Sequence, residues 1–240
     1  MGLDSAAFAR SVGVDVDEHQ RRVLESTSRR LLLNCTRQFG KSTTAALKAS
    51  HRIVHTPNSL VLCVSPSDRQ SGLLFDKVAE LVKKCTYAPK RVEDNKRSMR
   101  LANGSHLVSL PGSPETIRGY SGPNLVIVDE AAFCEDALFG AVAPMLAVSN
   151  GQLALLSTPC GKRGAFYEAW ENGADDWDRL RVPASECARI SPAFLEVQRR
   201  TMPGWLYRQE YDCEFVETLD SVFTHDQVTS AIVDEEALFE

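Results

Sequence analysis

One passage constrains the fold more than any other, because an apolar run, a glycine loop and a helical pattern follow one another directly. Residues 30–35 read RLLLNC, which predicts a short buried β-strand. The loop closes in Gly40-Lys41-Ser42-Thr43, and a helical pattern over residues 41–51 starts there. A strand, a loop ending in Gly-Lys-Ser/Thr and a helix form a phosphate-binding loop (P-loop), because loop N–H groups and the helix N-terminus attract anions. The passage therefore predicts an α/β protein that binds a nucleotide.

The sequence departs from the P-loop pattern G-x-x-x-x-G-K-[ST] at one position, where Cys35 replaces the first glycine. That glycine mainly allows a tight turn, so a small cysteine in an ordinary backbone conformation can replace it. We expect Lys41 to reach the β- and γ-phosphates of ATP, and Ser42 to offer its hydroxyl to Mg²⁺. The residues of this loop expected to bind the nucleotide are Arg37, Gln38, Phe39, Gly40, Lys41, Ser42 and Thr43.

Further apolar runs alternate with helical patterns along the chain. The patterns predict strands at 59–66, 124–130, 151–159 and 179–182, a hairpin around Asn103-Gly104 within 98–112, and helices at 70–84, 166–170 and 191–200. Apolar strands that alternate with helices indicate a mainly parallel sheet with both faces covered. We therefore predict an α/β P-loop NTPase domain over residues 1–225, followed by a C-terminal segment at 226–240.

Two of the predicted strands end in polar residues that suit a nucleotide site. In open parallel sheets, ligands bind beyond the carboxyl ends of the strands. The run VIVDE ends in Asp129, a candidate ligand of Mg²⁺, and Glu130, a candidate base that orients and deprotonates the attacking water. The run LLSTP ends in Ser157 and Thr158, whose hydroxyl groups can detect the γ-phosphate; a plain strand and turn is the alternative.

Two candidate residues lie outside these strand ends. The amide of Gln20 can hydrogen-bond both a donor and an acceptor on adenine, whereas the alternative is a surface glutamine on the first helix. Arg118 lies in the loop PETIRGYSGPN before the acidic strand. A cation there can stabilise charge on the transferring phosphoryl group, whereas the alternative is an ordinary arginine of a surface loop.

Composition excludes several classes of protein. Apolar residues make up 43% of the chain and charged residues 25%, the balance of a globular domain rather than a disordered one. The apolar runs are too short for a transmembrane helix, and the first residues lack the apolar stretch of a signal peptide. The seven cysteines form no C-x-x-C pattern and the five histidines no ligand spacing. We therefore expect buried free thiols and no metal bound by protein side chains alone.

The formal net charge of −5 gives the chain no overall attraction to nucleic acid, but its basic residues are unevenly distributed. Seven of them fall within residues 83–100, which contain only two acids. This segment is either an ordinary solvated surface or a patch that contacts the phosphate backbone of DNA.

In their order along the chain, these motifs resemble the ATPase domain of the large terminase subunit of tailed bacteriophages. The resemblance rests on CTRQFGKSTT, VSPSDRQS and TIRGYSG, and it continues through LVIVDEAAF, LLSTPCGKRGAFYEAW and YRQEYDCEF. These segments fall within residues 17–225. The Arg37-Gln38 pair before Gly-Lys-Ser distinguishes the resemblance to this family from a resemblance to P-loop ATPases in general.

The resemblance implies an ASCE-type, RecA-like fold and an enzyme that uses ATP and Mg²⁺ to drive double-stranded DNA into a viral procapsid. Glu130 and Lys41 would be catalytic, beside Asp129. Arg118 would act in trans on the ATP of a neighbouring subunit, Arg37 would contact or sense the phosphates, and Thr158 would couple hydrolysis to DNA movement.

The resemblance also implies partners and a location. The partners would be double-stranded DNA, the portal protein, the small terminase subunit and further copies of this chain in a ring of about five. The protein would act in the host cytoplasm, docked on the procapsid, with no contact to a membrane. Large terminases continue into a nuclease domain, but the final acids here follow no strand pattern, so we expect a motor domain without DNA cleavage.

Two other classes of function stay open. A helicase-like translocase shares the P-loop and the acidic strand end, but its usual second RecA-like domain does not fit after Pro159. The second class is an assembly protein that binds ATP as a structural ligand and does not hydrolyse it. Lys41 and Glu130 argue against it.

Overall fold

The computed structural model describes residues 4–217, which contain an eight-stranded sheet with helices on both faces. The strands are β1 Arg30–Cys35, β2 Leu60–Ser65, β3 Arg91–Asp94, β4 Ser98–Leu101, β5 His106–Pro111, β6 Leu125–Asp129, β7 Gln152–Ser157 and β8 Trp177–Val182. Their order across the sheet is β3-β4-β5-β2-β6-β7-β1-β8. The C-terminal segment predicted at 226–240 lies outside the described residues.

Most of the sheet is parallel. β8, β1, β7, β6, β2 and β5 each pair in parallel with the next, whereas β4 pairs antiparallel with both β5 and β3. The turn at Asn103-Gly104 joins β4 to β5, as the hairpin signal predicts, and Gly104 has a left-handed φ of 82°. β3 falls outside the predicted strands because its four residues, RVED, are mostly charged. The α/β class with a mainly parallel sheet is confirmed.

The helices cover the sheet. They are α1 Ser5–Ser11, α2 Glu18–Glu25, α3 Lys41–His55, α4 Asp68–Lys84, α5 Pro114–Ile117, α6 Asp136–Ser149, α7 Gly164–Glu171, α8 Pro192–Thr201 and α9 Gly204–Glu210. The predicted helices overlap α3, α4, α7 and α8; α4 begins before its predicted start because Ser67 caps it by accepting a hydrogen bond from Gln70 N–H. Among the described residues, no helix is both long and apolar enough to cross a bilayer.

The sheet is buried on both faces, which explains why its strands read as continuous apolar runs. Leu31 and Leu33 of β1 pack into the cluster that includes α3 and α4, whereas Leu32 between them packs into the cluster that includes α6 and α7. All seven cysteines are free thiols. Five of them are buried, whereas Cys134 and Cys160 are only half-buried.

The parallel arrangement determines where the polar strand ends meet. β1, β7 and β6 are consecutive neighbours, so their carboxyl ends lie side by side. The P-loop follows β1, Asp129 ends β6 and Ser157 ends β7. The fold therefore brings the predicted site residues of these three strands to one edge of the sheet.

A buried lysine joins α3 to α2. The Nζ of Lys48 donates hydrogen bonds to the carbonyl oxygens of Val23, Leu24 and Ser26, at 3.0, 3.2 and 3.0 Å. It therefore satisfies carbonyl groups that the end of α2 leaves without partners. Burial lowers the pKa of the Lys48 ammonium group to about 8.

The lowered pKa of Lys48 predicts a pH dependence of stability. Between about pH 8 and the ordinary lysine pKa of 10.5, the unfolded chain keeps a proton that the folded chain has lost, so stability rises with pH. We expect the free energy of unfolding of the wild type to rise across this window by about 1–3 kcal/mol relative to Lys48→Met. Urea denaturation at several pH values measures it, with exposed Lys83→Met as control. A difference that does not change with pH would contradict the assignment.

Candidate active site

The backbone of the P-loop is compatible with a cysteine at position 35, where the P-loop pattern has a glycine. Cys35 ends β1 fully buried and without a positive φ, whereas the left-handed positions of the loop are Gln38, at φ 64°, and Gly40, at φ 94°. The tight turn is thus made after Cys35, so a side chain at that position is tolerated. Burial raises the pKa of the Cys35 thiol well above its usual value, which keeps it neutral.

Gly40 is required for space as well as for conformation. The carbonyl of Phe39 accepts hydrogen bonds from Gln20 Nε2, at 3.1 Å, and from Arg189 Nη1, at 2.9 Å. A Cβ on Gly40 would lie 2.7 Å from Arg189 Nη1 and 2.8 Å from Gln20 Nε2. Thr43 follows in the first turn of α3, where its N–H donates to the Gly40 carbonyl at 3.0 Å.

The structure brings the P-loop lysine and serine to the acids of β6. Lys41 is only 7% exposed, and its Nζ lies 3.8 Å from Glu130 Oε1. The Ser42 hydroxyl donates a hydrogen bond of 2.7 Å to Asp129 Oδ2. A cation, a hydroxyl and two carboxylates thus form one cluster at the predicted edge of the sheet.

The two acids are held in an unfavourable environment. Asp129 Oδ1 and Glu130 Oε2 are buried and find no hydrogen-bond partner among the described residues. Burial raises the pKa of both carboxyl groups, while Lys41 opposes the rise, and the Ser42 hydroxyl does so at Asp129. Glu130 also has a left-handed backbone, at φ 56° and ψ 45°, a conformation that costs a non-glycine residue about 1–3 kcal/mol. These features are typical of a functional site rather than of a stabilising ion pair.

The donor set fits a Mg²⁺ ion that arrives with a nucleotide. Mg²⁺ prefers oxygen ligands and commonly combines one or two protein groups with substrate phosphates. The Ser42 hydroxyl and the Asp129 carboxylate supply such oxygens, and Asp129 Oδ1 has no other partner among the described residues. Residues 4–217 contain no group of three or more His, Cys, Asp or Glu side chains that could hold a metal by themselves.

The end of β7 is connected to the turn that follows Glu130. Ser157 and Thr158 are both buried, and the Ser157 hydroxyl accepts a hydrogen bond of 3.1 Å from the Ala132 N–H. Ala132 lies in the 3-10 turn Ala131–Phe133 directly after Glu130. This hydrogen bond therefore joins the end of β7 to the turn that follows Glu130. The roles of Ser157 and Thr158 toward the γ-phosphate stay predictions.

Arg37 lies against α9. Its guanidinium group pairs with the Glu210 carboxylate, and this hydrogen bond raises the pKa of Arg37. The Glu210 carbonyl also accepts a bond of 3.0 Å from Thr36 Oγ1. In this structure the guanidinium group of Arg37 is paired with the Glu210 carboxylate. Contact of Arg37 with phosphates stays a prediction.

Both the oxygen and the nitrogen of the Gln20 amide form hydrogen bonds inside the protein. Its Oε1 accepts from the Asp17 N–H at 3.2 Å, its Nε2 donates to the Phe39 carbonyl, and the residue is only 3% exposed. The structure therefore places Gln20 at the P-loop, as a nucleotide-binding residue requires. Recognition of adenine by Gln20 stays a prediction.

The Arg118 side chain is exposed, and among the described residues it has no hydrogen bond or ion pair, with the P-loop or with any other group. Arg118 lies in the loop between β5 and β6, directly after α5, where its backbone N–H donates a hydrogen bond of 3.3 Å to the Pro114 carbonyl.

At least three of the seven basic residues within 83–100 form ion pairs. Arg97 pairs with Asp68 at 2.8 Å, Arg100 with Glu93 at 3.1 Å, and Lys84 with Glu80 at 2.7 Å. Lys83, Lys90 and Lys96 are exposed. Because the ion pairs neutralise part of the charge, contact of this segment with DNA stays a prediction.

Sequence reasoning missed two residues of the site, Arg189 and Glu210. Glu210 falls within the YRQEYDCEF segment, which contributes to the family resemblance but carries no local signal of a P-loop contact. Arg189 precedes α8 in a segment without any motif. Only the tertiary fold places these residues beside the P-loop.

The raised pKa of Asp129 predicts that its charge destabilises the domain in the absence of nucleotide. We expect Asp129→Asn to raise the melting temperature without nucleotide, since about 1 kcal/mol corresponds to roughly 2–4 °C in a domain of this size. The same variant should lose the stabilisation that Mg²⁺ and ATP give the wild type. Thermal unfolding with and without Mg-ATP measures both effects. A variant that melts below the wild type and is still stabilised by Mg-ATP would contradict this account.

Known proteins of one family are similar to this chain. The sequence profile described as terminase large subunit, T4likevirus-type, N-terminal, matches residues 32–230. A terminase large subunit of Thermus phage G20c is 26% identical over 92% of this chain and 53% of its own length. The chain thus spans about half the length of the curated relatives it matches.

Solved structures show the same fold. The ATPase domain of the large terminase of Thermus phage P74-26 has a TM-score of 0.78 at 23% identity, covering 89% of this chain and 99% of that one. A large terminase of a thermophilic bacteriophage in complex with ADP has a TM-score of 0.67 at 13% identity, covering 84% of this chain and 54% of that one. The predicted RecA-like P-loop fold is therefore confirmed. Since the family profile covers most of its residues, the chain belongs to the terminase large subunit family, in the part that the N-terminal profile describes.

Proposed function

We propose that this chain hydrolyses ATP and that hydrolysis drives double-stranded DNA into a viral procapsid. The observation that carries the proposal is the cluster of Lys41, Ser42, Asp129 and Glu130 at the carboxyl edge of the sheet. The membership of the chain in the terminase large subunit family supports the packaging role. Since the curated relatives are about twice as long, packaging is proposed for the whole protein and ATP hydrolysis for this domain.

The P-loop binds the triphosphate. Its N–H groups and the start of α3 provide an anion site, and Lys41 adds a positive charge that is already held nearly buried. Ser42 and Asp129 hold Mg²⁺, which when bound neutralises charge on the phosphates. Because Asp129 Oδ1 has no hydrogen-bond partner among the described residues, it is available as a ligand.

Glu130 activates the attacking water. A base works best when its pKa lies close to the working pH, and burial moves the pKa of Glu130 upward in that direction. Lys41, 3.8 Å away, opposes this rise in pKa and so favours the ionised carboxylate. Glu130 has a left-handed backbone at the end of β6, and its carboxylate lies beside the Lys41 ammonium group. A base beside the Mg²⁺ ligand favours hydrolysis over mere storage of a nucleotide.

Arg118 acts on the ATP of a neighbouring copy. Its exposure and the absence of a side-chain hydrogen bond or ion pair among the described residues support a role in trans. Such a contact is head-to-tail, and head-to-tail contacts that close make a ring. We place the ring, of about five copies, on the procapsid in the host cytoplasm with DNA, the portal protein and the small terminase subunit as partners.

The catalytic assignment is tested at Glu130. We expect Glu130→Gln to lower the rate of ATP hydrolysis by about 10²–10⁴-fold, because the amide cannot accept the proton of the water. The dissociation constant of ATP should stay within a few-fold of the wild type. Phosphate release and calorimetry measure the two effects, with exposed Glu135→Gln as the matched control. Unchanged turnover in Glu130→Gln would remove the assignment, and a wild type that binds ATP without turnover would favour an assembly protein.

The role of Arg118 in trans is tested by mixing two inactive variants. We expect Arg118→Ala to lower hydrolysis by about 10³–10⁵-fold without weakening ATP binding, because arginines of this kind act on transition-state charge. Lys41→Ala protein keeps Arg118 but loses its own phosphate contact, so mixed assemblies should recover part of the activity. Arg10→Ala, at an exposed position of α1, serves as control. Mixtures that assemble but stay inactive would contradict a role in trans.

A further inference from the structure

A closed cycle of hydrogen bonds lies behind the P-loop. Asp17 Oδ1 accepts from the Gln20 N–H at 2.8 Å, and Gln20 Nε2 donates to the Phe39 carbonyl at 3.1 Å. Arg189 closes the cycle, because its Nη1 donates to the same carbonyl at 2.9 Å and its Nη2 donates to Asp17 Oδ2 at 2.5 Å. The cycle thus joins the start of α2, the P-loop and the segment that follows β8.

The Phe39 carbonyl controls the direction of a P-loop N–H group. In a trans peptide unit the carbonyl and the following N–H point in opposite directions. Holding the Phe39 carbonyl toward Gln20 and Arg189 therefore directs the Gly40 N–H to the opposite side, as a phosphate cradle requires. Left-handed residues, Gln38 and Gly40, lie on both sides of Phe39, and such conformations persist where the surroundings fix them.

The two donors to this carbonyl are not equivalent. Gln20 is the residue expected to recognise adenine, and its amide accepts a hydrogen bond from the Asp17 N–H and donates one to the Phe39 carbonyl. If Gln20 turns toward a base, the Phe39 carbonyl loses one donor. Arg189 is fixed by its second bond, to Asp17, and a planar guanidinium group can hold both partners at once.

We propose that Arg189 is a positioning residue that holds the Phe39 carbonyl while Gln20 exchanges its bond for the adenine of ATP. The proposal rests on the proposed binding of ATP and adds a residue with no sequence signal. It predicts that loss of Arg189 weakens nucleotide binding and also lowers selectivity for adenine, since Gln20 is then needed at the P-loop.

The test compares Arg189→Ala with His19→Ala. His19 Nε2 lies 3.3 Å from Glu186 Oε2 and joins the same segment to the same helix without contacting the P-loop. By calorimetry with Mg-ATP, we expect Arg189→Ala to raise the dissociation constant about 10–100-fold, the effect of losing a charged hydrogen bond. We expect His19→Ala to bind as the wild type does. Equal losses in both variants, or no loss in Arg189→Ala, would overturn the proposal.

A separate measurement, nucleotide selectivity, tests whether Gln20 exchanges its hydrogen bond to Phe39 for one to adenine. We expect the ratio of the dissociation constants for GTP and ATP to fall toward one in Arg189→Ala but not in His19→Ala. A weaker affinity with an unchanged ratio would overturn the exchange. If Arg189→Ala does not fold, Arg189→Lys keeps a charge for Asp17 but not the fork, and the same reduced affinity and ratio are expected. A wild type that binds neither nucleotide would instead contradict the proposed function.

Discussion

The hydrogen bond from Ser42 to Asp129 is the contact on which the rest of the site depends. It joins the P-loop helix to the end of β6, two elements far apart in sequence, and with Lys41 it sets the position of Glu130. The contact exists because β1, β7 and β6 are parallel neighbours, so that their carboxyl ends meet at one edge. Ser157 adds the end of β7 through its bond to Ala132. Every proposed step of ATP hydrolysis takes place at this edge.

The same edge concentrates the unfavourable features of the domain. It holds two carboxyl groups with raised pKa values, two buried acceptor atoms without partners among the described residues, and left-handed residues at Gln38 and Glu130. A structure that is stable by a few kcal/mol retains such features only where the surroundings fix them. The apolar clusters on both faces of the sheet provide that support. A site that is preorganised to bind phosphates and a cation accounts for these unfavourable features.

The sequence predicts the parts of the fold and site that depend on local pattern. β1 has the predicted bounds because its apolar run is directly followed by the glycine loop, and Asp129 and Glu130 follow from the end of an apolar strand. β3 cannot be predicted from local pattern because it is short and mostly charged. The roles of Arg189 and Glu210 cannot be predicted in this way either, because both residues contact the P-loop only through the tertiary fold, from positions far away in the sequence. No local pattern encodes a bond between Gln20 and Phe39 either, so partners of predicted residues require the structure.

The most direct measurement is a crystal structure of the chain with Mg²⁺ and a non-hydrolysable ATP analogue. The account predicts that the triphosphate lies against the loop from Gln38 to Ser42, with Lys41 at the β- and γ-phosphates. Mg²⁺ would be coordinated through Ser42 and Asp129, and Glu130 would face the γ-phosphate. A nucleotide bound elsewhere, or one bound at the P-loop with Asp129 and Glu130 directed away from the metal and the γ-phosphate, would contradict it.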